Sequence, residues 1–330
     1  MKILLCIRKD YLTNMAGDSV QLLKTAEYLK EKGLFVTIND GTILDYTEYD
    51  IIHLFNLTRL SETYKYFKIA QKFNKLIVLT PIYWDISKFY KYVNDIQNIK
   101  QWEYEKQFRQ EIIKGCTLIY PSSMLEMEAL ELDNENNFPY EIIYSGVSEN
   151  NITASESLEM SQKINSVKPY ILCAARVCPR KNQLLLCQMA NELDINVILA
   201  GTTNSKQYLK NCLTLPNVHY WGFANYNQLR YLYQNAELHI LCSFVETPGL
   251  SSLEAGYFGT KIISTLEGSA VEYFKNMAVY CNPYDRYDIK NSISTSLTQK
   301  NNPGLKKHIE ANFLWENCLS KLYKSYFNLL

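Results

Sequence analysis

Short apolar runs recur along this chain, separated by longer amphipathic stretches, and that alternation limits its fold more than any other feature. Apolar runs of strand length bounded by turn residues read as buried strands, and apolar positions three and four apart read as helices covering them. In the first half, strands are expected at 2–7, 51–55, 76–80, 117–120 and 141–144, with helices at 18–32, 61–73 and 102–114. A second series has strands at 170–174, 196–200, 218–221, 238–241, 261–264 and 279–281. Its helices are expected at 183–193, 225–234 and 250–257, and an amphipathic tail at 315–330 follows. Strands alternating with helices imply parallel sheets. At 330 residues the chain also exceeds one ordinary domain. The expectation is therefore α/β, with two doubly wound, Rossmann-like domains facing a central cleft at the carboxyl ends of their strands. The boundaries read as a first domain at 1–150, a polar linker at 151–168, a second domain at 169–312, and a C-terminal helix at 313–330 crossing back to the first.

Charge narrows the function. The chain has 34 basic and 34 acidic residues, without the basic excess of a dedicated nucleic-acid binder. The second half carries 17 Lys/Arg against 13 Asp/Glu, a balance of +4 that suits an anionic ligand. Nine cysteines, none in a CxxC pair, sit mostly within apolar runs and read as buried thiols in a reducing compartment. The apolar run at the start is too short for a signal peptide, and no stretch reaches membrane-spanning length. The expected location is the cytoplasm.

The densest chemistry lies at 243–256, Ser-Phe-Val-Glu-Thr-Pro-Gly-Leu-Ser-Ser-Leu-Glu-Ala-Gly, directly after an expected strand. Pro248 and Gly249 form a turn and a helix opens near Leu250. Backbone N–H groups at such a helix start lack intrahelical acceptors and sit at the positive end of its dipole, which suits a phosphate. Ser251 and Ser252 add hydroxyls. Glu254 lies a turn into the helix, where a carboxylate can accept both ribose hydroxyls, and Glu246 stands before the turn. A capped helix with two surface carboxylates is the plainer reading. A second group, Arg176 and Lys181 in Ala-Arg-Val-Cys-Pro-Arg-Lys-Asn-Gln (175–183), places two cations in a strand-to-helix loop, with Arg180 an adjacent alternative expected to face solvent. Two such cations can converge on a diphosphate.

Glu-Thr-Pro-Gly-Leu-Ser-Ser-Leu-Glu-Ala (246–255) closely resembles the donor motif of retaining GT-B glycosyltransferases of family 4, the group 1 transferases. Residues 176–182 are similar to that family's R-x-x-x-x-K-N motif. The resemblance implies that Glu246 contacts the transferred sugar, Glu254 holds the nucleotide ribose, and Arg176 and Lys181 stabilise the leaving diphosphate. Gly222 in Asn-Val-His-Tyr-Trp-Gly resembles a loop beside the base, and Gly268 resembles a turn near the diphosphate. No D-x-D motif occurs, and the family implies no metal and no cofactor beyond the nucleotide-diphosphate sugar that serves as donor.

The first half resembles the family less. Gly17 stands where the family has paired glycines over the reaction centre, and it is equally readable as a helix-entry turn. After the strand at 76–80 the family often has a histidine; here Thr-Pro-Ile-Tyr-Trp-Asp (80–85) leaves Tyr83, Trp84 and Asp85 as acceptor-side candidates. Lysines interleaved with aromatics at 64–75 and 88–92 read as solvated helix faces or as a patch docking on anionic lipid. The implied function is transfer of a sugar to a glycan or lipid-linked acceptor in surface polysaccharide biosynthesis. The competing readings are an epimerase or phosphorylase on the same fold, and a non-catalytic subunit binding a partner transferase.

Overall fold

A computed structural model describes residues 1–134, 137–149, 160–161 and 163–330. The chain divides into two compact units, Met1–Ser145 with Trp315–Leu330, and Gly146–Leu314. Most of the segment 151–168, expected as a linker, lies outside the described residues.

In the first unit β1 (Lys2–Cys6), β2 (Phe35–Asn39), β3 (Ile51–Phe55), β4 (Leu76–Thr80) and β5 (Leu118–Ile119) form a sheet in the order β2-β1-β3-β4-β5. Every pairing in it is parallel. The helices are α1 (Gly17–Glu31), α2 (Leu60–Lys72), α3 (Ser87–Tyr92), α4 (Ile96–Gly115) and α5 (Met124–Asn134), with the chain's last helix, Trp315–Asn328, packed in the same unit. Central strands are apolar because both faces are covered, and β3 is buried along its whole length. His53 is the polar residue of that strand. Its Nδ1 meets the Tyr326 hydroxyl at 2.5 Å and its Nε2 the Thr80 hydroxyl at 2.8 Å, tying β3 to the last helix. Burial pushes His53 down to about 3, so the imidazole is neutral at ordinary pH.

Three features depart from expectation. Strand β2 went unread because it is half-exposed at the sheet edge, where no apolar run is required. Residues 141–144 do not form a strand: β5 is two residues long, and the chain beside it makes an isolated bridge between Tyr140 and Ile119, with Glu141 N–H to Ile119 O and Ile143 N–H to Pro121 O at 3.0 Å each. Helix α4 starts at Ile96 rather than 102, capped by Asp95, whose Oδ1 accepts the Asn98 N–H at 3.1 Å.

In the second unit β6 (Tyr170–Ala174), β7 (Asn196–Ala200), β8 (Val218–Gly222), β9 (Leu238–Leu241), β10 (Ile262–Thr265) and β11 (Val279–Cys281) form a sheet in the order β11-β10-β9-β6-β7-β8. It too is parallel throughout. The helices are α6 (Gln183–Glu192), α7 (Lys206–Cys212), α8 (Tyr226–Asn235), α9 (Leu250–Tyr257), α10 (Ala270–Phe274), α11 (Arg286–Thr298) and α12 (Pro303–Asn312). The core gathers Ile171, Leu186, Leu199, Leu238, Ile240 and Ile263, all fully buried. Strand order reverses between β6 and β9. That is the switch point at which connections leave in opposite directions and open a crevice beyond the carboxyl ends.

Candidate functional site

The loops after β6 and β9 flank that switch point and carry the two sequence motifs, residues 175–182 and 242–249. Lys181 Nζ and Glu246 Oε1 form an ion pair across them, with both side chains largely buried. Burial opposes ionisation of Glu246, but the Lys181 and Arg180 charges and the Lys181 hydrogen bond outweigh it and hold the carboxyl below its ordinary range. Arg180, expected in solvent, is partly buried instead. Its Nη1 donates to Val245 O at 3.0 Å, and its carbonyl accepts the Phe244 N–H at 3.0 Å, so it stitches one motif to the other.

Neighbouring amides set the shape of the cationic loop. Gln183 is fully buried; its Nε2 donates to Arg176 O at 2.8 Å and its Oε1 accepts the Cys178 N–H at 3.3 Å. Asn182 takes the left-handed conformation at φ 58 and donates to Cys242 O at 3.2 Å and Pro283 O at 2.9 Å. Asparagine tolerates that conformation better than most side chains. Gly201, at φ +147, lies so close that a Cβ there would sit 2.2 Å from Ala175 O. The sequence reading placed Asn182 in the motif but gave none of the three a role; Asn-Gln following the cations, and a glycine closing the next strand, were the available signals.

Beyond Glu246 the chain turns at Gly249, φ 88, into α9. Leu250 and Ser251 are the first residues of the helix, so their N–H groups belong to the set without intrahelical acceptors. Ser252 behaves differently from expectation: it is fully buried, its hydroxyl faces His239 Nδ1 at 3.5 Å, and its N–H goes to Gly249 O at 2.9 Å. Helical spacing turns that side chain inward. Gly268 pairs in parallel with Glu246, and Glu246 N–H donates to Glu267 O at 3.0 Å while Glu246 O accepts the Ser269 N–H at 3.2 Å. Gly222 ends β8 at φ +81, and its carbonyl accepts the Gly201 N–H at 2.7 Å.

Glu254 Oε2 accepts the Tyr233 hydroxyl at 3.0 Å, a partner supplied by α8 that sequence did not reveal. Burial pushes the Glu254 carboxyl up to about 7, with the Tyr233 hydrogen bond offsetting part of the rise. A carboxyl raised on folding makes the native state bind more protons than the unfolded chain. Stability therefore falls as pH rises from the unfolded value of about 4.3 to about 7. Melting temperatures measured across that window should decline less in Glu254→Gln than in the parent protein; identical slopes would refute the assignment.

In the first unit Gly17 is the first residue of α1 and has no positive φ, which matches a helix entry. Beside it Arg8, 4% exposed, donates to Asp18 Oδ2 at 2.7 Å and Oδ1 at 2.9 Å, and Asn56 Nδ2 donates to Asp18 Oδ2 at 3.0 Å. Arg8 and Asn56 follow β1 and β3, which flank the switch point of this sheet, and Asp18 lies in the first turn of α1. Tyr83 is fully buried and stacks on Trp102 with centroids 5.9 Å apart, so it is a core residue rather than an acceptor contact. Its N–H is taken by Glu126 Oε1 at 2.6 Å. Asp85 accepts the Ser87 N–H at 2.8 Å and its hydroxyl at 3.0 Å, closing the turn into α3. Trp84 is half-buried.

Two doubly wound parallel sheets, with paired motifs on the switch-point loops of the second, define the GT-B class. Residues 155–313, just under half of the chain, match the family model for glycosyl transferases group 1. An uncharacterized glycosyltransferase of Methanocaldococcus jannaschii is 25% identical over 199 residues, 56% of this chain and 50% of that protein, so the match spans about half that relative's length. Sucrose-phosphate synthase from Thermosynechococcus elongatus superposes with a TM-score of 0.82 at 15% identity, covering 100% of this chain and 99% of that one. Anabaena HepE, solved with UDP-glucose, superposes at 0.76 with 16% identity over 99% and 100% of the two chains.

Proposed function

We propose that the protein is a retaining glycosyltransferase that moves a sugar from a nucleotide-diphosphate sugar to a glycan or lipid-linked acceptor, without a metal. The observation that carries this reading is the Lys181–Glu246 pair on the two switch-point loops, beside the opening of α9. The diphosphate lies against Arg176, Lys181 and the Leu250 and Ser251 N–H groups. Glu246 accepts from hydroxyls of the transferred sugar. Glu254, in its ionised form, accepts from the ribose. As the bond from the anomeric carbon to phosphate oxygen breaks, negative charge grows on the diphosphate, and preorganised cations stabilise that charge most. The complex of Anabaena HepE with UDP-glucose supports UDP-sugars as the first donors to test.

Thermal shift with UDP-, GDP-, ADP- and CDP-sugars tests the donor site: one nucleotide should raise the melting temperature well above the others, and no shift with any would overturn the reading. Turnover should survive EDTA unchanged; abolition that added metal restores would sink metal-free chemistry.

On the first unit Lys88 and Lys91 are exposed beside exposed Tyr92, Val93 and Ile96, which supports peripheral association with anionic lipid at the cytoplasmic face. The 64–75 stretch is less suited, since Tyr64 and Lys68 are spent on Glu111 at 2.6 and 2.9 Å. Sedimentation with anionic vesicles should deplete the supernatant, and neutral vesicles should not; equal recovery from both removes the idea. No helix among the described residues is long and apolar enough to cross a membrane.

A further inference from the structure

We propose that the second unit carries another ligand site, for a sugar phosphate, at the edge of its sheet opposite the Lys181–Glu246 loops. A cavity of 430 Å³ opens there, at the amino ends of β10 and β11. That volume lies at the lower end of the small-ligand range and suits one or two sugar rings. Its floor includes Ser296, 2% exposed, whose hydroxyl has no hydrogen-bond partner. A buried orphan hydroxyl is costly unless a ligand or water completes it. Around it stand Asn276, Gln299 and Asn301, amides that both donate and accept and so match sugar hydroxyls.

The charge of the wall favours an anion. Lys261 and Lys300 line the cavity, and no carboxylate does among the described residues. Lys261 Nζ donates to Ser296 O at 2.8 Å and Gln299 O at 3.1 Å, which fixes its ammonium in the wall; Lys300 is exposed at the rim. A Cβ at Gly259, also in the wall, would meet nothing within 4 Å, so the space beside it is open. Hydroxyl-matching amides together with two cations fit a phosphorylated monosaccharide better than a neutral sugar or bare phosphate.

Isothermal titration of the full chain with α-glucose 1-phosphate, glucose and inorganic phosphate tests this. The sugar phosphate should bind about ten-fold more tightly than either component. Lys300→Glu and Ser296→Val should each weaken it about ten-fold, while Lys181→Ala leaves it unchanged. Lys300 is exposed, so its variant stays informative even if Ser296→Val fails to fold. The proposal is overturned by no binding to the parent protein, by phosphate or glucose alone binding as tightly, or by binding that Lys181→Ala abolishes and Lys300→Glu spares.

Discussion

Lys181→Ala should lower turnover with the preferred donor by about 100- to 1,000-fold, the scale seen when one preorganised charge-stabilising donor is removed from a transition state. The same change has a second consequence, because Glu246 is 6% exposed and loses its ion-pair partner. Breaking a buried pair by deleting one member costs about 3–5 kcal/mol of stability, since a charge is left buried and uncompensated. The Glu246 carboxyl should then rise from its depressed value, as burial is the largest influence acting on it. The two consequences separate in Lys181→Ala/Glu246→Gln, which removes both charges. Its melting temperature should recover most of the loss while its turnover stays low. If activity returns together with stability, Lys181 acts on folding alone and its role toward the diphosphate is wrong.

Gly268→Ala should strongly destabilise the second unit. A Cβ built there lies 1.8 Å from Glu246 O at φ +140, so both space and backbone conformation exclude a side chain. Relief requires moving the 267–269 backbone off Glu246, breaking the 3.0 and 3.2 Å hydrogen bonds that bracket it. The expected loss is about 4 kcal/mol or more, the range reserved for a named steric mechanism. Gly259→Ala is the control. Gly259 also has a positive φ, +86, but a Cβ there meets nothing, so only conformational strain of about 1 kcal/mol applies. Equal melting temperatures for the two variants would show that the Gly268–Glu246 contact is not tight in solution.

Much of the second unit was legible because its signals are local. Strands 170–174, 196–200 and 238–241 were read with the bounds the structure gives, since parallel strands covered on both faces are largely apolar, interrupted here only by Asn196 and His239. Glu246 and Lys181 were legible as a pair of motifs, and the structure brings them into contact although 65 positions separate them. The first unit was less legible where burial is partial: edge strand β2 and the 141–144 segment depend on neighbours rather than on their own pattern.

By itself the sequence determined the two parallel-sheet units, the loops that bear the chemistry, and the charges placed there. Periodicity and turn residues are properties of neighbouring positions, and they survive without knowledge of the fold. Tertiary structure alone decided how those residues are used. It turned Ser252 toward His239 and put Tyr83 in the core. It joined Arg180 to Val245, set Tyr233 against Glu254, and buried that carboxyl, which pushes it up to about 7. Burial and hydrogen-bond partners depend on what packs from distant segments, and no local pattern encodes them.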